Sequence, residues 1–208
     1  MSFPDLPRLD LSAFATSSLQ GRFVRLEPMA EAHKEGLRAA CDADPDTWLN
    51  LYPWPMHGEH FEGRWVQMAK DKAAGHFLCF AVVLDGECVG MTSFITPDAV
   101  NKSVEIGGTY YHPRVRGGPV NPDRKRLMLG HAFEAGFVRV FLKVDAINAR
   151  SRAAVLKMGA TFEGILRRDR VTWTGRVRDS CFYSVMPEDW PAVRDGLDAR
   201  LDAFTPRA

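Results

Sequence analysis

Four cysteines are few for 208 residues, and no two of them form a C-x-x-C pair: Cys41, Cys79, Cys88 and Cys181 are scattered. That spacing offers neither a zinc ribbon nor a redox dithiol, and Cys79, Cys88 and Cys181 sit inside apolar runs, as buried free thiols do. Net charge is also nearly absent, at +1. A general nucleic-acid binder spreads a large basic excess over one face, so that class is not expected here. No apolar run approaches the ~20 residues that span a bilayer. The opening residues lack the basic-then-apolar pattern of a secretory signal, which together with the free thiols leads us to expect a cytoplasmic protein. Internal repeats and low-complexity stretches are missing. His57-Gly58-Glu59-His60 lacks the H-E-x-x-H spacing and an evident third ligand, so no metal is expected.

What is present is a core. Hydrophobic residues make up 46% of the chain, enough to fill one domain. We expect an N-terminal arm (residues 1–18), a domain over 19–186, and a terminal amphipathic helix with its tail over 187–208. Alternation and apolar runs predict strands at 19–29, 76–84, 88–96, 103–111, 138–144, 160–166 and 180–185. Helical spacing predicts helices at 31–42, 61–74, 121–137, 149–158 and 187–201. Pro53 and Pro55 deny a long helix to the aromatic stretch 45–58. Asp85-Gly86-Glu87 and Thr174-Gly175-Arg176 read as turns. On the strand 103–111, simple alternation puts Val104, Ile106, Gly108 and Tyr110 on one face and Glu105, Gly107, Thr109 and Tyr111 on the other. The order of elements predicts a mixed α/β (α+β) fold with a mostly antiparallel sheet of about seven strands.

One segment concentrates charge. Residues 114–126 carry five cations and one anion, a net +4, which leaves −3 for the remainder. Asn121 is a good N-cap and Pro122 suits the first helical position. On that reading Arg124, Lys125 and Arg126 crowd the positive end of a helix dipole, an unfavourable place for cations. A glycine-containing loop that feeds a helix N-terminus binds phosphate, and an anionic ligand would resolve the conflict.

The element order, with the stretch Arg114-Val115-Arg116-Gly117-Gly118-Pro119, resembles the GCN5-related N-acetyltransferases (GNAT), whose phosphate loop reads Gln/Arg-x-x-Gly-x-Gly/Ala. Within them, residues 19–28, 105–111, 148–160 and 175–184 are similar to the ribosomal-protein (RimJ/RimL type) branch. Pro119 departs from the pattern and cannot donate to a phosphate. The resemblance implies a sheet splayed between its fourth and fifth strands and acetyl-CoA as cofactor. It implies direct transfer of the acetyl group to a primary amine, either a peptide N-terminus or a small molecule. It implies cofactor contacts at Gly107, Thr109, Tyr110, Arg114, Arg116, Gly117, Gly118, Val120, Asn121, Lys125, Asn148 and Ser151. It further implies catalytic roles for Glu105, Asn148 and Ser151, and an acceptor wall that includes Trp54, His57 and Tyr111. No membrane or direct nucleic-acid partner is implied, and the chain would act as a monomer or homodimer.

Each residue also has a plainer reading. Glu105 is either a general base or a strand glutamate in an ion pair. Asn148 and Ser151, three apart at a helix start, suit capping. Tyr183 suits the core, and the aromatic stretch suits a second small core. The same fold that holds acyl-CoA without turnover, as a sensor or scaffold, is the main alternative. An RNA- or ribosome-associated module using the +4 segment is the second.

Overall fold

The computed structural model describes residues 8–204. In chain order it contains strands β1 (Leu19–Gln20) and β2 (Arg25–Pro28), then helices α1 (Lys34–Asp42), α2 (Pro45–Leu51) and α3 (His60–Ala73). The meander β3 (Phe77–Leu84), β4 (Glu87–Asp98) and β5 (Ser103–Tyr111) follows. Helix α4 (Val120–Glu134), β6 (Arg139–Asp145), α5 (Ala149–Leu156), β7 (Thr161–Val171), β8 (Val177–Val185) and α6 (Trp190–Asp202) complete the chain. The eight strands form one sheet in the order β1-β2-β3-β4-β5-β6-β8-β7. Every pairing is antiparallel except β5 with β6.

The two faces of the sheet bury two apolar clusters. One gathers Phe80, Val82, Ile106, Met128, Leu129, Val140, Val155 and Leu197 under α4, α5 and α6. The other gathers Leu37, Trp48, Phe61, Met68, Cys79, Ala81, Met91 and Tyr110 under α1, α2 and α3. The arm is packed rather than frayed where it is described. Phe14 is buried against Phe94 and Phe137, with ring centroids 4.6 and 5.0 Å away, and stacks on His131. Residues 1–7 and 205–208 lie outside the described part.

Three expectations need correction. The single first strand is two, because residues 21–24 make a turn in which Gly21 N–H donates to Val24 C=O. Asp123, a hundred residues away, holds that turn. Its buried Oδ2 accepts from Phe23 N at 2.6 Å and from Val24 N at 2.9 Å. A Cβ on Gly21 would lie 2.8 Å from Asp123 Cγ, which explains the glycine. Asp123→Ala is expected to strand two amides and cost about 2–4 kcal/mol, lowering the melting temperature by several degrees, while Asp123→Asn retains an acceptor and loses less. Thermal unfolding of both variants checks this.

The second correction concerns α4. It starts at Val120 with Pro119 as its N-cap, and Pro119 C=O accepts from Asp123 N at 3.0 Å. Asn121 does not cap, because its Oδ1 is occupied by Tyr111 and Arg124. The earlier start moves Arg124–Arg126 into the second turn, where the dipole has largely decayed.

The third concerns the faces of β5. Ser93 pairs with Gly107 and Met91 with Tyr110, so two steps on β4 match three on β5. The extra residue is a bulge. Gly108 sits there at φ +58, and a Cβ on it would come 2.7 Å from Phe77. The bulge inverts the alternation. Val104 and Ile106 lie in the first cluster, whereas Tyr110 lies in the second and Tyr111 packs against the first.

Candidate active site

Parallel pairing of β5 with β6 runs only from Ser103↔Arg139 to Glu105↔Phe141. Beyond it the strands part, and a cleft of about 830 Å³ opens in the gap. Its floor is Glu105–Tyr111 of β5 and Leu142–Asp145 of β6. One end is the bend before α4 with Arg124, Lys125 and Arg200; α5 adds Asn148 and Ser151. The other end is aromatic, with Tyr52, Trp54 and Phe77.

At the first end, Gly117 adopts φ +83, and nothing lies within 4 Å of a Cβ built on it. The N–H groups of Gly117, Gly118, Val120 and Asn121 take no hydrogen-bond partner among the described residues. The cations divide. Arg114 is exposed, pairs with Glu87 and does not line the cleft. Arg126 pairs with Asp198 at 3.0 Å, also outside the cleft lining. Arg116 lines the cleft but is held by the Asp44 carboxylate and by Tyr111 C=O at 3.0 Å. Arg124 donates to Tyr111 Oη at 2.8 Å and to Asn121 Oδ1 at 3.0 Å, while its buried Nη1 has no partner. Lys125 Nζ donates to Ala154 C=O at 2.7 Å. Burial first, then Arg124 and Arg200, push the Lys125 ammonium well below its ordinary pKa. A phosphate there would reverse that push and accept from the stranded amides and from Arg124 Nη1. The residues therefore fit a diphosphate, and the cations it would meet are Arg124, Lys125 and Arg200 more than Arg114.

Along the floor, Glu105 Oε2 pairs with Lys143 Nζ at 3.0 Å across the splay. A Cβ on Gly107 would stand 3.0 Å from Glu105 Oε1 and 2.8 Å from Ile95. Thr109 Oγ1 meets Thr92 Oγ1 at 2.9 Å, and Tyr52 Oη donates to Thr109 C=O. Burial pushes the Tyr52, Tyr110 and Tyr111 phenols up, so all three remain protonated donors. Tyr110 lines the cleft floor but is 2% exposed. Its ring stacks on Trp48 at 4.5 Å, and its hydroxyl donates to Ala40 C=O. Asn148 caps α5, with Oδ1 accepting from Ser151 N at 3.0 Å. The Ser151 hydroxyl has no partner among the described residues. Tyr183 is fully buried and accepts from Arg152.

The expected residues separate accordingly. Glu105, Gly107, Thr109, Tyr111, Arg116, Gly117, Gly118, Asn121, Lys125, Asn148, Ser151 and Trp54 share the cleft lining. Arg114, Val120 and His57 do not. Val120 is buried in the core, and His57 packs beside His60 and Trp173. Tyr52, in the expected aromatic stretch, also lines the cleft, and Arg64, Arg178 and Arg200 line it without having been singled out. Each of these arginines arrives from a distant segment and carries no local motif.

The splayed mixed sheet matches the fold of one known family. Residues 24–161 match the acetyltransferase (GNAT) domain family. The chain belongs to the GNAT acetyltransferases. A GCN5-related N-acetyltransferase from Brucella melitensis shares 27% identity and a TM-score of 0.84, covering 96% of this chain and 90% of that one. RimJ from Mycobacterium smegmatis, solved with a CoA disulfide, shares 22% identity and a TM-score of 0.74, covering 88% of this chain and 92% of that one. RimL, a ribosomal alpha-N-protein acetyltransferase solved with coenzyme A, shares 17% identity and a TM-score of 0.71, covering 81% and 97%. At those identities RimJ and RimL speak to the shared fold. No curated protein sequence matches the chain significantly. GNAT acetyltransferases use acetyl-CoA as their acyl donor. Among the described residues, no helix is long and apolar enough to cross a membrane.

Proposed function

We propose that this GNAT domain is an acetyl-CoA-dependent N-acetyltransferase that moves the acetyl group directly to a primary amine while both substrates are bound. The observation that carries the reading is the coincidence, in one cleft, of a bend lined by Gly117, Gly118 and Asn121, whose amides and that of the adjoining Val120 are unpartnered among the described residues, with a carboxylate, Glu105, on the strand that forms the floor. Acetyl-CoA supplies an acetyl thioester whose carbonyl oxygen gains negative charge as the amine adds. The amides of Gly117, Gly118, Val120 and Asn121 hold the diphosphate, with Arg124, Lys125 and Arg200 neutralising it. Pro119 withholds one donor, and the free Nη1 of Arg124 compensates. The bulge at Gly108 takes β5 backbone out of the ladder, so N–H groups between Gly107 and Tyr110 can meet the developing charge. Glu105 takes the proton from the amine, directly or through water. The Ser151 hydroxyl, which has no partner among the described residues, donates a hydrogen bond to the departing thiolate. Trp54 and Tyr52 line the acceptor end.

The Glu105–Lys143 pair keeps a second reading in play, in which the domain binds acyl-CoA without turnover. Thiol release with acetyl-CoA and a panel of amines and peptides, beside thermal melts with coenzyme A, separates the two. Release with at least one amine supports the enzyme. A melting temperature raised by coenzyme A with no release from any amine supports the sensor.

A further inference from the structure

A hairpin docks beside the acceptor end of the cleft, on residues that include the lining residue Pro53. The tip joining β7 to β8 docks on α2 and the segment after it: Trp173 N and Nε1 donate to Pro53 and Trp48 carbonyls at 3.2 and 3.1 Å, and Arg176 donates to Asn50 C=O at 3.1 Å. Two guanidinium groups line the cleft from different elements. Arg178 comes from β8, next to the hairpin, and Arg64 from α3, which packs on β3.

Both are short of acceptors. The Arg178 side chain is only 8% exposed. Its Nε donates to Ser180 Oγ at 3.0 Å, and Ser180 donates onward to Asp169 at 2.7 Å. The nearest carboxylate, Asp145, is 3.8 Å away and already bonded to Arg176. The Nη atoms of Arg178 bond to no described residue. Arg64 reaches Asp71 through one nitrogen at 3.3 Å, but its buried Nε has no partner. Its guanidinium lies 4.6 Å over the Trp54 ring, and the Trp54 indole N–H is buried and unpartnered too. Burial pushes both guanidinium groups below their ordinary pKa. The carboxylates that line the cleft are already engaged: Glu105 by Lys143, Asp71 by Arg64, Asp145 by Arg176. The surplus is of donors and of positive charge.

A polyamine would bring more cations into that surplus, and a neutral apolar amine would leave buried donors stranded. A carboxylate matches the fork of a guanidinium and accepts from it with two oxygens. We infer that the acceptor is an amine bearing a carboxylate near it, as in an amino acid or a peptide with an acidic residue beside its N-terminus, and that Arg178 and Arg64 with Trp54 receive that carboxylate. This rests on the acetyltransferase reading above.

The test uses the full chain with saturating acetyl-CoA and measures thiol release. One arm compares peptides that begin with serine and differ only in aspartate, asparagine or lysine at the second position. Another compares glutamate with glutamine amide, and a third uses spermidine. The acidic acceptor is expected to exceed its amide by about tenfold or more in kcat/KM, the yield of one charged pairing of roughly 1.4 kcal/mol. The arm with the larger ratio tells peptide from free amino acid. Arg178→Gln should bring the ratio near one by raising KM for the acidic acceptor, with KM for acetyl-CoA unchanged, and Arg64→Gln serves if that variant does not fold. Calorimetry of the N-acetylated aspartate and asparagine peptides with the coenzyme A complex reads the same preference without turnover. A charge preference among products with no thiol release would sink the enzyme reading and keep the carboxylate site. Equal use of acid and amide, a preference for spermidine, or a ratio unmoved in both variants overturns the inference.

Discussion

Gly117→Glu is expected to lower affinity for coenzyme A by about 100-fold or more, because a like charge set against the diphosphate costs several kcal/mol. The fold has room for the new side chain: nothing stands within 4 Å of a Cβ at Gly117. Its cost to stability is therefore the left-handed backbone, at φ +83, which a non-glycine residue adopts at about 1–2 kcal/mol. Gly117→Ala carries that strain without the charge and should keep affinity within roughly tenfold of the parent. Calorimetric titration of both variants, beside thermal melts, separates strain from repulsion. Unchanged affinity in Gly117→Glu would remove the bend from the cofactor site.

Glu105→Gln is expected to reduce turnover by roughly 100-fold or more, the usual contribution of a positioned general base. The substitution keeps the side-chain volume on a strand where Glu105 is 9% exposed, and it removes only the charge that meets Lys143 at 3.0 Å. Coenzyme A affinity should stay within about twofold, because the diphosphate end of the cleft is built from other elements. A variant with parental turnover would leave Glu105 as one half of a structural ion pair.

The bend was legible in sequence because its chemistry is local. Arg116, Gly117, Gly118 and Asn121 lie within six residues, and left-handed glycine beside a helix start has few other uses. Asn148 and Ser151 were legible for the same reason, and the cap between them is present. What escaped is what depends on distant partners. Arg116 reads as a free cation until Asp44, 72 residues earlier, is seen to hold it. Asn121 reads as a cap until Tyr111 and Arg124 are seen to occupy its oxygen. The split of the first strand depends on Asp123. Arg64, Arg178 and Arg200 have no spacing that marks them. The inverted faces of β5 are a different failure: strict alternation assumes no bulge, and Gly107-Gly108 was the available warning.

The account is tested most directly by diffraction from crystals soaked in coenzyme A. It predicts diphosphate oxygens within hydrogen-bond distance of the amides of Gly117, Gly118, Val120 and Asn121, with Arg124 Nη1 turned onto one of them. Density for the nucleotide elsewhere, or a bend left untouched at saturating ligand, would contradict it.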